Sequence, residues 1–317
     1  EIKENRCIMQ FHLGKQYSWT SIQNSNVQQE ALVKSGYRGK ILDGKPFKPS
    51  TFKALHKSIL NWYQDHGYPF AATQLKAIQY DSDSTFTAKI HVESGPLVKI
   101  DSVKIFGTAK ISKSYICNYI GISEGDIYNQ ERLDLIDNRL KELPFVKVMK
   151  SSQVGFSKKH TRLHIYIDHN NASRFNGIVG VLPDNNTGEI TITGDAKIAL
   201  KNAFKKGEAL SLNWRKLQNL TQDLDVKVNY PYLLNSPIGV DGRLKVFKKD
   251  TTYLELNQRI GLQYTLSGGN YVMVFFDNYT SSLLNTEQYL NATVLPSFAD
   301  VRFRQYGLAF QQIKLDY

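Results

Sequence analysis

Three histidines, His160, His164 and His169, fall within ten residues of one another and invite a metal-site reading. Their setting argues against it. The surrounding residues alternate as a strand does, and two positions four apart on a strand are about 13 Å apart, too far for one ion. Cys7 and Cys117 are the only cysteines, and two distant thiols make neither a disulfide framework nor a zinc site. Ser267-Gly268-Gly269-Asn270 has the glycines of a phosphate cradle. It lies between two alternating stretches, though, which makes it a hairpin turn. Asp223, Asp225, Lys227 and Arg259 offer acid–base groups, but each alternates with an apolar residue, as a wet inner surface would require. The chain has no G-x-S-x-G elbow, H-E-x-x-H pair, Walker loop or dinucleotide fingerprint. The residues therefore point away from an enzyme and call for no cofactor or metal.

The elements that carry these residues are of two kinds. The first half repeats itself at an offset of 81 residues. Met9, Phe11 and Gly14 align with Ile90, Val92 and Gly95, and Ile41, Gly44 and Phe47 with Ile122, Gly125 and Tyr128. Phe52, Leu55, Ile59 and Trp62 align with Leu133, Ile136, Leu140 and Leu143, an apolar stripe of helical period in each copy. Ser50 and Asn129 stand where N-caps belong, and Gly67 and Pro144 end the helices. A strand (17–23; 98–106) and a short helix (28–34; 113–120) precede each stripe. Two strands follow it (71–80 and 86–93; 146–154 and 162–168). Each unit is thus strand, helix, helix, strand, strand, an α+β module with both helices on one face of a sheet. The modules occupy 14–94 and 95–170, with almost no linker between them. Residues 1–13 fit the last strand of an earlier module.

From 171 to 317 the period changes to two. Leu224, Val226 and Val228 alternate with Asp223, Asp225 and Lys227, and Leu254, Leu256 and Ile260 with Glu255, Asn257 and Arg259. About eight strands can be counted, near 174–182, 189–201, 208–217, 222–230, 239–248, 252–265, 270–277 and 303–317. Most exceed the roughly 5–6 residues usual in soluble sheets. Length and a charged second face suit an outer-membrane β-barrel whose apolar face meets lipid. A soluble β-sandwich and a closed eight-stranded barrel are the alternatives. No stretch reaches the ~20 apolar residues of a membrane-spanning helix. The net charge of +11 divides into +8 over residues 1–170 and +3 over the rest, and no nucleic-acid-binding motif accompanies it.

Such modules followed directly by barrel strands resemble the Omp85 superfamily, in which POTRA domains precede a sixteen-stranded barrel. Gly125-Asp126-Ile127-Tyr128, the Leu133–Leu143 stripe and Pro144-Phe145-Val146-Lys147-Val148 look like the POTRA pattern. Gly44–Phe47, Phe52–Trp62 and His66-Gly67-Tyr68 look like a second copy. Asn202–Glu208 and Tyr230–Pro237 are similar to the family's first periplasmic turn and its turn after the fourth strand. The family's late V-R-G-F motif is not found. The residues after Asn171 are about half of what sixteen strands of ~10 residues need, so the chain reads as the N-terminal part of a longer barrel.

The resemblance implies folding or translocation of other polypeptides at the outer membrane, with the modules in the periplasm. Implied partners are unfolded outer-membrane or secreted clients, periplasmic or lipoprotein accessory subunits and outer-membrane lipid, with no nucleic acid. A transporter dedicated to one secreted partner and a soluble periplasmic scaffold are the alternatives. POTRA strand order makes the stretches holding Ala71, Gln74, Lys76 and Ile78, and Val146, Val148 and Lys150, the sheet edges open to a client strand. Phe175, Gly177, Ile178, Val179, Gly180 and Val181 form the first barrel strand, the expected lateral gate, weakened by its two glycines.

Overall fold

The computed structural model describes residues 2–3, 6–7, 10–11, 14–38, 43–183, 190–217, 220–285 and 299–313. Met9 and Ile41 of the repeat alignment lie outside them, as does residue 286–298 of the long connection expected after the seventh barrel strand. The chain forms two compact units, Glu1–Lys99 with Asp126–Glu131, and Ile100–Gly125 with Arg132–Tyr317. Near the start, β1 (Ile2–Lys3) and β2 (Arg6–Cys7) pair antiparallel.

The first module contains β3 (Ser18–Asn24), α1 (Gln29–Lys34), α2 (Pro49–Asp65), β4 (Ala72–Tyr80) and β5 (Thr85–Glu93). Its sheet order is β3-β5-β4, with β5 central, parallel to β3 and antiparallel to β4. The stripe reading holds for α2, which buries Leu55, Ile59, Trp62 and Tyr63. They pack with Trp19, Ile22, Phe86, Ala88 and Ile90 into one core, and burying each large apolar side chain contributes roughly 1.5–3 kcal/mol. The start of α2 differs from the sequence reading. Lys48 is the N-cap, Pro49 follows it, and no side chain caps the helix. Proline suits this first turn because its missing N–H would have no helical partner there, so Ser50 falls inside the helix.

The second module contains β6 (Ser102–Phe106), α3 (Lys113–Ile120), α4 (Gln130–Asp134), α5 (Ile136–Lys141), β7 (Val146–Phe156) and β8 (Thr161–His169), with sheet order β6-β8-β7. The expected single stripe helix is broken at Leu135, although Ile136, Leu140 and Leu143 are still buried. The first strand is shorter than expected and begins at Ser102.

The remaining strands are β9 (Arg174–Pro183), β10 (Ile190–Lys201), β11 (Ala209–Lys216), β12 (Gln222–Tyr230), β13 (Ile238–Lys249), β14 (Tyr253–Thr265), β15 (Tyr271–Leu283) and β16 (Val301–Gln311). They form one antiparallel meander with β9 and β16 at its two edges. A sandwich needs a second sheet against the apolar face. Here that face is open, with Ile260 65%, Val179 78% and Leu308 78% exposed. The architecture is a partial transmembrane barrel. Strand β15 runs six residues beyond the sequence expectation. Its last turn of sequence, Asn278–Leu283, is too polar to show alternation, yet it is laddered to β14 throughout. Tyr279 also stacks on Phe303 at 4.7 Å. No described helix is long and apolar enough to cross a membrane.

Candidate functional site

The two sets of expected site residues occupy sheet edges. Strand β4 is an edge of the first module's sheet. The opposite edge, β3, is covered by the segment ahead of α2: Trp19 N donates to Lys45 O at 2.9 Å, and Gly44 N and Phe47 N donate to Trp19 O and Tyr17 O, both at 2.7 Å. Gln74 and Lys76 lie on β4, where both reach the Glu93 carboxylate, at 2.7 and 3.4 Å. Ala71 stands one residue before the strand. Ile78 is exposed and sits in a bulge, where the register shifts between Lys76 and Gln79 and Ala77 takes φ +51°.

On β7, the corresponding edge of the second module, Val146 is buried and Val148 is half-buried. The Lys150 ammonium lies 3.7 Å from the centre of the Tyr166 ring. Bulges flank Lys150 as well. Bulges bend an edge strand and limit how long a partner can add to it. Each edge thus has a short regular segment followed by an irregular one.

Phe175, Gly177, Ile178, Val179, Gly180 and Val181 all lie on β9, laddered on one side to β10 through its whole length. Side chains two apart share a face, so Phe175, Gly177, Val179 and Val181 share the apolar face, and Ile178 and Gly180 face the other way. A Cβ on Gly177 would meet only ordinary contacts, whereas one on Gly180 would lie 2.8 Å from the Thr193 hydroxyl.

The inner face of the sheet carries paired charges. Arg259 grips Asp277 through two bonds of 2.7 Å, and Arg243 grips Asp225 at 3.0 and 2.9 Å. Arg215 donates to Asp195 at 3.2 Å. The register places Arg259 opposite Asp277 and Arg215 opposite Asp195, and Arg243 diagonally across from Asp225 on the neighbouring strand, so the charges are absorbed across the strands rather than gathered into a reactive site. The histidines are separated too: His164 packs edge-on to Phe106, and His169 bonds Asn171 at 2.9 Å. No group of three or more metal-ligand side chains occurs among the described residues. Cys117 is a buried free thiol.

Sequence reasoning missed a third locus, the seat of α3 on three barrel turns. Tyr115 and Tyr119 stack at 5.9 Å, and Tyr232, from the turn after β12, meets Tyr115 edge-on at 5.3 Å. Lys205 O accepts from Ser112 N at 2.9 Å, and Lys110 O accepts from the Asn202 side chain at 3.0 Å. Asn118 donates to Asn235 O at 3.2 Å. Glu208 is 1% exposed, and its carboxylate accepts from the backbone N–H groups of Phe204 and Lys206 within its own turn. Arg139 donates to Ile120 O, its stem lies along Gly268, and Ser267 sits against Gly121. Burial, then the neighbouring phenol of Tyr232 and the Glu208 carboxylate, push the Tyr115 hydroxyl well above its ordinary range. The signal available in the sequence was two tyrosines four apart on a short helix, a pairing more aromatic than a solvated helix needs.

This arrangement agrees with comparisons to known proteins. A family model for POTRA, described as surface antigen variable number repeat, matches residues 98–170. The outer membrane protein assembly factor BamA of Buchnera aphidicola is 25% identical over 135 residues, covering 40% of this chain and 22% of that protein. The crystal structure of BamA from Haemophilus ducreyi lacking POTRA domains 1–3 superposes with a TM-score of 0.55 at 14% identity, over 95% of this chain and 60% of that one. CdiB from Acinetobacter baumannii gives 0.49 at 14% identity, over 97% and 62%. The chain therefore spans about a fifth of the curated relative and three fifths of the first solved one. Residues 98–170 are thus matched as a POTRA module, and the chain, with that module seated on the turns of an open antiparallel sheet, shares its fold with the BamA structure it resembles.

Proposed function

We propose that the protein assembles or translocates other polypeptides at the outer membrane, without chemistry of its own. One observation carries this reading. In the first module one sheet edge is occupied by the chain's own loop, and β4 remains the outer strand of the other edge. An extended client adds there as a further strand. Main-chain hydrogen bonds supply the affinity, so many sequences are accepted. The edge of β7 serves likewise, so that Ala71, Gln74, Lys76 and Ile78 frame the first edge and Val146, Val148 and Lys150 the second. A client then passes to β9, whose outer edge is the gate, with Gly177 and Gly180 lowering the cost of parting the seam.

Site-specific photo-cross-linking tests the reading. Probes at Gln74 and Lys150 should capture unfolded clients in cells, and a probe at Lys53, on the exposed face of α2, should not. Equal capture at all three positions would remove the edge-addition mechanism. Capture of a single secreted protein, rather than many outer-membrane clients, would identify a dedicated transporter.

A further inference from the structure

Charge is divided unequally between the two faces of the barrel sheet. In β9–β16 the apolar face carries no Asp or Glu, and its only cations are Lys216, Lys248, Arg302 and Arg304. The register fixes their placement. Lys216 pairs with Gln222, which pairs with Lys248, while Arg302 and Arg304 pair with Thr280 and Asn278. All four lie toward the strand ends remote from the turns that seat α3: Lys216 ends β11, Lys248 is next to last in β13, and Arg302 and Arg304 open β16. The other end of the same face is wholly uncharged, with Leu210, Val240, Leu262 and Val272 at that level.

Five of the inner-face cations, Arg215, Arg243, Arg259, Lys197 and Lys227, are by contrast paired with carboxylates. The four on the apolar face form no ion pair among the described residues. Beside Arg304 the same face has a depression of about 610 Å³ lined by Val228, Leu244, Ile260 and Phe276. It exists because Gly242 has open space where a side chain would stand. Asn278, adjoining Arg304, has a buried side-chain oxygen without a partner.

We propose that this rim binds phosphate-bearing lipid headgroups of the leaflet remote from the turns that seat α3, with the Gly242 depression taking an acyl chain below Arg304. The inference rests on the membrane-barrel architecture. Long cationic side chains lay their stems along apolar surface and extend the charge to the headgroup level. Charges are least costly at the rim of the apolar band. Guanidinium groups match phosphate geometry with two parallel bonds. Among the described residues this face holds no carboxylate, which leaves the headgroup phosphate as the partner that completes the charge. A protein client would have to supply acidic groups in an apolar, membrane-facing setting, which is costly. The asymmetry also holds the barrel at a fixed depth, since sliding toward the periplasm would draw four cations into hydrocarbon.

Trp214 provides the test, because it shares this face with Lys216, whereas Trp19 and Trp62 are buried in the first module. The full-length protein is folded into phosphatidylcholine bilayers doped with brominated phosphatidylglycerol or brominated phosphatidylcholine, and tryptophan quenching is compared. Quenching by the anionic lipid should exceed that by the zwitterionic one about threefold at low salt. The ratio should approach one in about 1 M NaCl, where screening is short-ranged. Lys216→Gln with Lys248→Gln should lower it, while Lys245→Gln, on the inner face, should leave it unchanged. Native mass spectrometry of Arg302→Gln with Arg304→Gln should show loss of retained phosphatidylglycerol. A ratio near one for the unmodified protein at low salt, or an equal fall with Lys245→Gln, overturns the proposal. Failure of either brominated lipid to quench would instead overturn the membrane placement on which it rests.

Discussion

The ring of Tyr115 closes directly over Gly207: a Cβ at 207 would lie 1.8 Å from a ring carbon. Gly207 also has φ +74°, a conformation that disfavours side chains. The first barrel turn and α3 are therefore fitted to one another at a point with no spare volume. Gly207→Ala should destabilise this seat by about 1–3 kcal/mol or force the ring aside. Tyr115→Ala should cost about 3–5 kcal/mol. The measurement is the urea midpoint of the folded, gel-shifted form. An unchanged midpoint for Gly207→Ala would show that the seat yields.

The inner-face ion pairs should differ in weight according to burial. The Asp277 side chain is 2% exposed and accepts both bonds of Arg259, whereas Asp195 is 27% exposed opposite a half-exposed Arg215. Asp277→Asn should cost about 1–3 kcal/mol through the stranded guanidinium. Asp195→Asn should cost less than about 1 kcal/mol. Equal midpoints in urea for the two variants would contradict this ordering.

His56 gives the first module a pH dependence. It packs on Phe52 with ring centres 4.0 Å apart and bonds the Thr73 hydroxyl, and its Nε2 has no partner. Burial lowers its pKa below the ordinary 6.5. The unfolded chain therefore binds the proton more readily. The contribution is fully present above about pH 6.5 and is lost as pH falls through the lower folded value. Urea unfolding followed by tryptophan emission should show the midpoint falling on acidification, and His56→Gln should flatten that dependence.

The gate reading gives a separable expectation for Gly177, where an added Cβ meets only ordinary contacts. Gly177→Val should leave β9 as stable or raise its stability by up to about 1 kcal/mol. Client assembly in cells should slow. Normal assembly kinetics with a stiffened strand would show that Gly177 has no part in gating.

How much was legible from residues alone follows the range of the interactions. The stripe at Leu55, Ile59 and Trp62 and the alternation at Leu224, Val226 and Val228 are local periodicities, and they determined the α+β modules and the barrel strands. The end of β15 was not legible, because Asn278–Leu283 is held by ladders to β14 rather than by its own pattern. The bulges at Ala77 and around Lys150 were hidden as well, since register belongs to a pair of strands and not to either one. Sequence spacing likewise separates Tyr115, Gly207 and Tyr232 by more than a hundred positions end to end, and only chain folding brings them together. The sequence by itself determined which elements form and which face of each is apolar, because helical and strand periods are written in neighbouring residues. The tertiary structure decided which edges stay open, where α3 is seated and that four cations share one rim, because each depends on pairing between distant segments.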